Sequence, residues 1–187
     1  MRSMRAVFAL VTALAVQAPA TVRLQIRVFN AAEEVTSETR VTLYKAGDHA
    51  SPVALSAAHL LFDVEVPAGL YDAQAIHERD SRVLNIRWAE RLVVMPYPDE
   101  AGVHLEVINF QSDFGALEVK SRRPVNVALY ADGDRSRDAA KPVSGNGYVL
   151  FVAPAARYDL RLESGGQVTW HAGVDVPRDR TRFWLVP

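Results

Sequence analysis

Apolar and polar residues alternate along most of the chain, which is the pattern of strands that bury one face. Leu24, Ile26 and Val28 alternate with polar side chains, and the same period of two returns many times. The pattern predicts strands rather than helices. They are expected at 22–30, 39–45, 60–66, 70–78, 82–94 and 103–110, and then at 115–120, 124–131, 147–152, 157–163, 167–176 and 181–186.

Turn residues separate these runs at short intervals, as in Ala46-Gly47-Asp48 and Ser164-Gly165-Gly166. Frequent turns between short strands favour an all-β protein over a parallel α/β fold. The sequence therefore predicts antiparallel, immunoglobulin-like or transthyretin-like β-sandwiches. The segment 52–61 is also compatible with a helical turn, and that choice stays open.

Parts of the chain occur twice in related form. The matching segments are 41–48 with 127–134 and 62–73 with 148–160. An internal repeat of this kind predicts two modules of one design. We expect them at 21–112 and 113–187, joined at a short polar break, 111–114, so that the modules touch rather than move on a flexible linker.

The first twenty residues have the layout of a secretory signal peptide. Arg2 and Arg5 precede an apolar run at 6–16, and the small-residue triplet Ala18-Pro19-Ala20 follows. A membrane anchor would need about 20 apolar residues, nearly twice this run. The sequence predicts a signal peptide at 1–20, cleaved near Ala20, and a periplasmic or secreted protein with no transmembrane segment after cleavage.

The amino-acid composition excludes several kinds of site and partner. The chain has no cysteine, which excludes disulfides, zinc–thiolate sites, thiol catalysis and a lipoprotein anchor. Without the two arginines of the signal peptide, 19 basic and 22 acidic side chains leave a net charge of −3. We expect no nucleic-acid partner, because such proteins show a strongly basic face.

The motif Pro67-Ala68-Gly69-Leu70-Tyr71 returns as Pro154-Ala155-Ala156-Arg157-Tyr158. It resembles the turn before a late strand in fibronectin-type and immunoglobulin-like sandwiches, and it is similar to a signature of PEGA and carboxypeptidase-regulatory (transthyretin-like) domains. The resemblance implies that Tyr71 and Tyr158 form tyrosine corners, with each hydroxyl bonded to nearby backbone. It also implies non-catalytic accessory or adhesive modules without a transferable active site.

Three carboxylates in one loop form a candidate calcium site. Asp132, Asp134 and Asp138 have the spacing of oxygen ligands, but Arg135 and Arg137 lie between them and oppose a cation. A solvated loop is favoured, and calcium stays open.

No linear motif indicates an enzyme. The histidines lack metalloprotease spacing, no nucleophile elbow is present, and the glycine-rich turn at 145–147 is followed by neither Lys-Ser nor Lys-Thr. The sequence therefore predicts no catalytic residue, no cofactor and no metal. An enzyme whose site is assembled from distant residues stays open as the second alternative function.

Trp88 and Trp170 occupy matched positions of the repeat. Core packing is the favoured interpretation, since both copies must fill the same core, and it is less favoured for Trp184 near the chain end. Exposed tryptophans that stack on sugar rings would instead make the protein a carbohydrate-binding module.

Four arginines lie in two turns of the second module. If its strands simply run up and down, Arg122, Arg123, Arg178 and Arg180 gather at the end that lies away from the first module. Such a tip suits carboxylates or phosphates. Solvated turns without a function are the alternative.

Together these features predict a secreted or periplasmic, non-catalytic binding or scaffold protein. Its partner is expected to be another envelope protein or an anionic envelope component. The carbohydrate-binding module is the first alternative.

Overall fold

The computed structural model describes residues 20–56, 60–96 and 102–186, and this part of the chain is all-β, as predicted. The signal-peptide prediction for 1–19 lies outside the described residues. The strands are β1 Thr21–Asn30, β2 Glu33–Glu34, β3 Thr39–Lys45, β4 Asp48–Leu55, β5 Phe62–Pro67, β6 Gly69–Arg79, β7 Arg82–Val94, β8 Val103–Asn109, β9 Phe114–Ala131, β10 Asp134–Asp138, β11 Val143–Pro154, β12 Ala156–Ser164, β13 Gln167–Val176 and β14 Thr181–Val186. A 3-10 turn covers Thr36–Glu38.

Most predicted strands are confirmed within a few residues, and three strands were missed. These are β2, which has two residues, and the edge strands β4 and β10. Nearly every side chain of β4 and β10 is exposed, so neither strand shows alternation. The start of the open segment 52–61 belongs to β4, where an edge position tolerates Pro52; residues 57–59 lie outside the described part.

The first module consists of two sheets. In one, β1 pairs antiparallel with β2 and β5 and parallel with β8. In the other, which we call the outer sheet, the antiparallel order is β4-β3-β6-β7. Leu24 and Ile26 of β1 face Leu43 and Ala73 in the core between them, and all four side chains are fully buried. Burial of one large aliphatic side chain, such as leucine or isoleucine, stabilises the folded state by about 1.5–3 kcal/mol.

The second module repeats most of this topology, but β11 pairs along both halves of β9, and no described strand corresponds to β2. Its first two strands are fused into the long β9, whose first half pairs with β11 and β14 as β1 pairs with β5 and β8. The second half pairs with β10 and β12 as β3 pairs with β4 and β6. A β-bulge in β11 accompanies the change of sheet, and Gly147 adopts φ 80° there.

The expectation of purely antiparallel sandwiches is wrong in one respect. The last strand of each module, β8 or β14, runs parallel beside the first strand. The chain enters this last strand from the opposite sheet and not through a hairpin. The strand can therefore run parallel to the first strand instead of antiparallel to it.

The sheet of β1 and β8 contacts that of β9 and β11 through a small group of apolar residues. Phe29, Val107 and Ala116 form a small separate cluster, against which Leu150 and Val152 pack. Additional polar contacts cross the same boundary, among them Val107 N donating to Thr181 Oγ1 at 2.8 Å. Among the described residues, no helix has the length and apolarity to cross a bilayer.

Candidate functional site

The two matched tyrosines hold equivalent corners. Tyr71 and Tyr158 are buried, and their hydroxyls donate to the carbonyls of Pro67 and Pro154, each at 2.7 Å. Burial raises the pKa of both phenols, so they stay protonated donors. The hydrogen bonds implied by the resemblance are therefore present, and these side chains have a structural role.

The aspartate after each tyrosine points to the other face of its sheet. Asp72 accepts hydrogen bonds from Gly47 N at 2.8 Å and Arg91 N at 2.7 Å, and its Oδ2 lies 2.8 Å from His49 Nε2. Burial alone would raise the pKa of this carboxyl, but these hydrogen bonds outweigh burial and lower it. Asp72 thus fastens the β3–β4 turn and a bulge of β7 to β6.

Aromatic rings cover this carboxylate on the outer sheet. The imidazole of His49 stacks on Trp88 with ring centroids 4.3 Å apart. Tyr44 completes the cluster, at 5.5 Å from Trp88 and 5.7 Å from His49.

The second module builds the same cluster around Asp159, with an arginine in place of the histidine. Arg135 Nε donates to Asp159 at 2.8 Å, and Gly173 N donates at 3.2 Å. The Arg135 guanidinium lies 4.4 Å from the ring centre of Trp170, which also contacts Tyr130 at 5.0 Å. The hydrogen bond from Arg135 is the main cause of the lowered pKa of Asp159, and burial opposes it.

Sequence reasoning missed these two aspartates. Their signal was available, because Tyr71-Asp72 and Tyr158-Asp159 match in the repeat. A carboxylate kept at the same place in both copies indicates a shared structural bond, although its partners are distant in sequence.

The core assignment of the matched tryptophans is wrong. Trp88 and Trp170 are half-buried on outer sheet faces and belong to neither core, whereas Trp184 packs against the second core. His49 and Arg135 already cover a face of the two outer rings. A sugar-stacking platform needs a bare ring face, so the geometry does not favour the carbohydrate-binding alternative at these positions.

The expected gathering of four arginines is also wrong. Because β14 runs parallel to β9, Thr181 lies beside Ala116 and Val186 beside Ser121. Five residues of strand, about 16 Å, therefore separate the turn at 177–180 from the bend at 121–124.

The 177–180 turn also faces the first module instead of pointing away from it. Arg180 Nη2 donates to the carbonyl of Glu90 at 3.0 Å, and Asp179 pairs with Arg87 at 2.6 Å. Whether either arginine pair binds an anion stays a prediction.

Arg122 and Arg123 line an open cleft at the far end of the second module. Its volume is about 550 Å³. The other lining residues come from β12, β13, the bend of β9 and the end of β14: Ser121, Leu162, Ser164, Gln167, Thr169, His171 and Val186. The cleft combines two positive charges with amide and hydroxyl groups and an apolar part.

The outer sheet of the first module groups exposed apolar residues, and the second module repeats only part of this group. We call Ile76, Leu84 and Ile86 the apolar face. Ile86 pairs with Ile76 across β6 and β7, and Ile86 and Leu84 are 57% and 48% exposed. The equivalent pair in the second module is Glu163 with Val168.

The candidate calcium ligands have separate partners. Asp134 accepts from the backbone and hydroxyl of Ser136, Asp132 lies 3.6 Å from Arg157, and Asp138 bonds to Tyr130. Within the described ranges, no group of three or more His, Cys, Asp or Glu side chains is placed to hold a metal ion.

The chain matches no known protein-family profile and no curated protein sequence. Its fold is similar to that of the Bacillus anthracis TIE protein, at 11% identity and a TM-score of 0.35; the match covers 89% of this chain but only 34% of that protein. It is also similar to the tip fimbrial protein Mfa3 from Porphyromonas gingivalis, at 12% identity, a TM-score of 0.36 and coverage of 89% and 94%. A putative adhesin from Bacteroides ovatus matches at 11% identity and a TM-score of 0.31, with coverage of 99% and 95%. Likenesses at this level carry no argument about activity or partners.

Proposed function

We propose that the protein is a secreted or periplasmic, non-catalytic binding or scaffold protein that accompanies another envelope protein. The proposal includes the cleaved signal peptide, the two modules at 21–112 and 113–187, and kinship with PEGA or transthyretin-like domains. The paired tyrosine corners support that kinship, and the apolar face of the first module supports the contact with a protein.

The apolar face is the main support for the proposal, because the equivalent sheet of the second module can be compared with it directly. The second module builds the same sheet with Glu163 at the place of Ile76, and Glu163 pairs with Arg161 at 2.9 Å. Folding of this sheet therefore does not require an apolar residue at the position of Ile76. Exposed apolar side chains grouped on a flat sheet mark a surface that another protein covers.

Photocrosslinking in cells tests this contact. A photoreactive amino acid at Ile86 is expected to give an adduct of one defined mass, whereas the same group at the equivalent Val168 is expected to give none. Both positions are exposed edge-strand sites, at 57% and 45%, so the pair is matched. Introducing Ile76→Glu beside the crosslinker should remove the adduct.

Failure of the proposal would also be clear. Equal crosslinking at both positions, or an adduct that survives Ile76→Glu, would show that the apolar face is not a specific contact. Circular dichroism and thermal unfolding of each variant check that the sheet is intact.

A further inference from the structure

We infer that the cleft around Arg122 and Arg123 binds an acidic sugar, that is, a sugar carrying a carboxylate or phosphate group. The cleft volume of about 550 Å³ lies in the range of small-molecule sites, roughly 300–1,000 Å³. This inference is independent of the proposed protein contact, which lies on the first module.

The charge of the cleft is not neutralised from within. Neither Arg122 nor Arg123 has an ion-pair partner among the described residues, unlike Arg23, Arg27 and Arg161. Glu163, which lies between the lining residues Leu162 and Ser164, already pairs with Arg161 at 2.9 Å. Two adjacent guanidinium groups therefore remain available, and their fork geometry matches carboxylate and phosphate oxygens.

The rest of the lining suits the hydroxyl groups and the carbon face of a sugar. Gln167 and Thr169 supply hydrogen-bond donors and acceptors on β13, whereas Leu162 and Val186 supply apolar surface. The His171 ring, fixed edge-on against Trp184 at 5.2 Å, adds a further polar group. An inorganic anion would use the arginines alone, but an acidic sugar would use both parts of the cleft.

Isothermal titration calorimetry tests the inference with three probes: glucuronate, glucose 6-phosphate and glucose. We expect at least one of the two acidic sugars to bind and neutral glucose to show no binding. Affinity should fall as salt is raised, since guanidinium–anion attraction is screened. The two acidic probes distinguish a carboxylate from a phosphate ligand.

Two double variants test whether binding depends on the positive charges inside the cleft or on the net charge of the protein. Arg122→Gln with Arg123→Gln should weaken binding at least tenfold. Arg137→Gln with Arg178→Gln removes the same charge from exposed positions outside the cleft, and should change affinity less than twofold. Equal loss in both variants would overturn the site, because it would show attraction to net charge alone.

A third variant covers the case in which the bend of β9 does not tolerate the double substitution. Thr169→Glu places a carboxylate in the cleft from an exposed position of β13, and it should abolish binding while thermal unfolding is unchanged. No binding of either acidic sugar to the unaltered protein at millimolar concentration would overturn the inference. Unchanged affinity in Thr169→Glu would do the same.

Discussion

The two modules place different nitrogen-bearing side chains between equivalent aspartates and indoles. In the first, His49 bridges Asp72 and Trp88; in the second, Arg135 bridges Asp159 and Trp170. Arginine is charged at every accessible pH, whereas an imidazole gains its charge only in mild acid. The duplicated fold therefore needs a donor and a flat group at this position, but not a permanent charge.

The residues around the two clusters differ in polarity. The outer sheet of the first module carries Ile76 and Ile86, and that of the second carries Glu163 in an ion pair with Arg161. This face is apolar in the first module, whereas in the second an ion pair replaces part of it and Val168 stays apolar. The cores and corners are thus alike in the two modules, and the outer faces differ.

The largest expected effect tests whether the corners are equivalent. Tyr71→Ala and Tyr158→Ala should each cost about 3–5 kcal/mol, because a large buried ring is removed. Tyr71→Phe and Tyr158→Phe should cost only about 1 kcal/mol for the lost hydrogen bond. Urea unfolding gives both values. Similar small losses for Ala and Phe would show that one module does not depend on its corner.

A smaller effect is expected when the two aspartates lose their charge. Asp72→Asn should cost about 1–3 kcal/mol at pH 7, because charge-assisted hydrogen bonds are lost, and Asp159→Asn should be destabilising for the same reason. Both aspartates have a lowered pKa in the folded protein. Their contribution is therefore complete above the ordinary aspartate pKa of about 4 and is lost as the pH falls below it.

The measurement is urea unfolding at pH 7 and at pH 3. The difference between each variant and the unaltered protein should shrink at pH 3. A difference that does not depend on pH would mean that the aspartates act through shape rather than charge.

The smallest effect comes from replacing the arginine of the second cluster by the residue that the first cluster uses. Arg135→His should cost less than about 1 kcal/mol at pH 8, since the ion pair is partly exposed, and the loss should be smaller at pH 5.5, where a free imidazole is charged. Unfolding curves of this variant and of the unaltered protein at the two pH values check this. A loss that is the same at both pH values would contradict it.

Strand positions were predictable because alternation is a local property. The runs at 39–45, 82–94 and 167–176 coincide with β3, β7 and β13. The tyrosine corners were equally predictable, since the motif places the proline carbonyl four residues before the ring. The edge strands β4 and β10 were not, because nearly all their side chains are exposed and such a strand has no apolar period.

The tryptophans show why a strand position does not decide which way a side chain faces. On β7, Trp88 points outward and Ala89 is buried, but the next buried residue is Leu92. The pairing with β6 shifts at this point, and Arg91 adopts φ 56°. This bulge changes which residues of β7 face the core. A matched position in the repeat therefore does not show whether a tryptophan faces the core or the outer side of the sheet.

The class of fold, the duplication and the two corners can be predicted from the sequence, because they depend on alternation and on short motifs. Where the arginines lie and what the aspartates bind follows from the tertiary structure. The parallel direction of β14 separates Arg178 and Arg180 from Arg122 and Arg123, and the pairing of β4 with β3 and of β3 with β6 brings His49 to Asp72. Strand direction and sheet partners are set by contacts between residues far apart in the chain, and no local pattern records them.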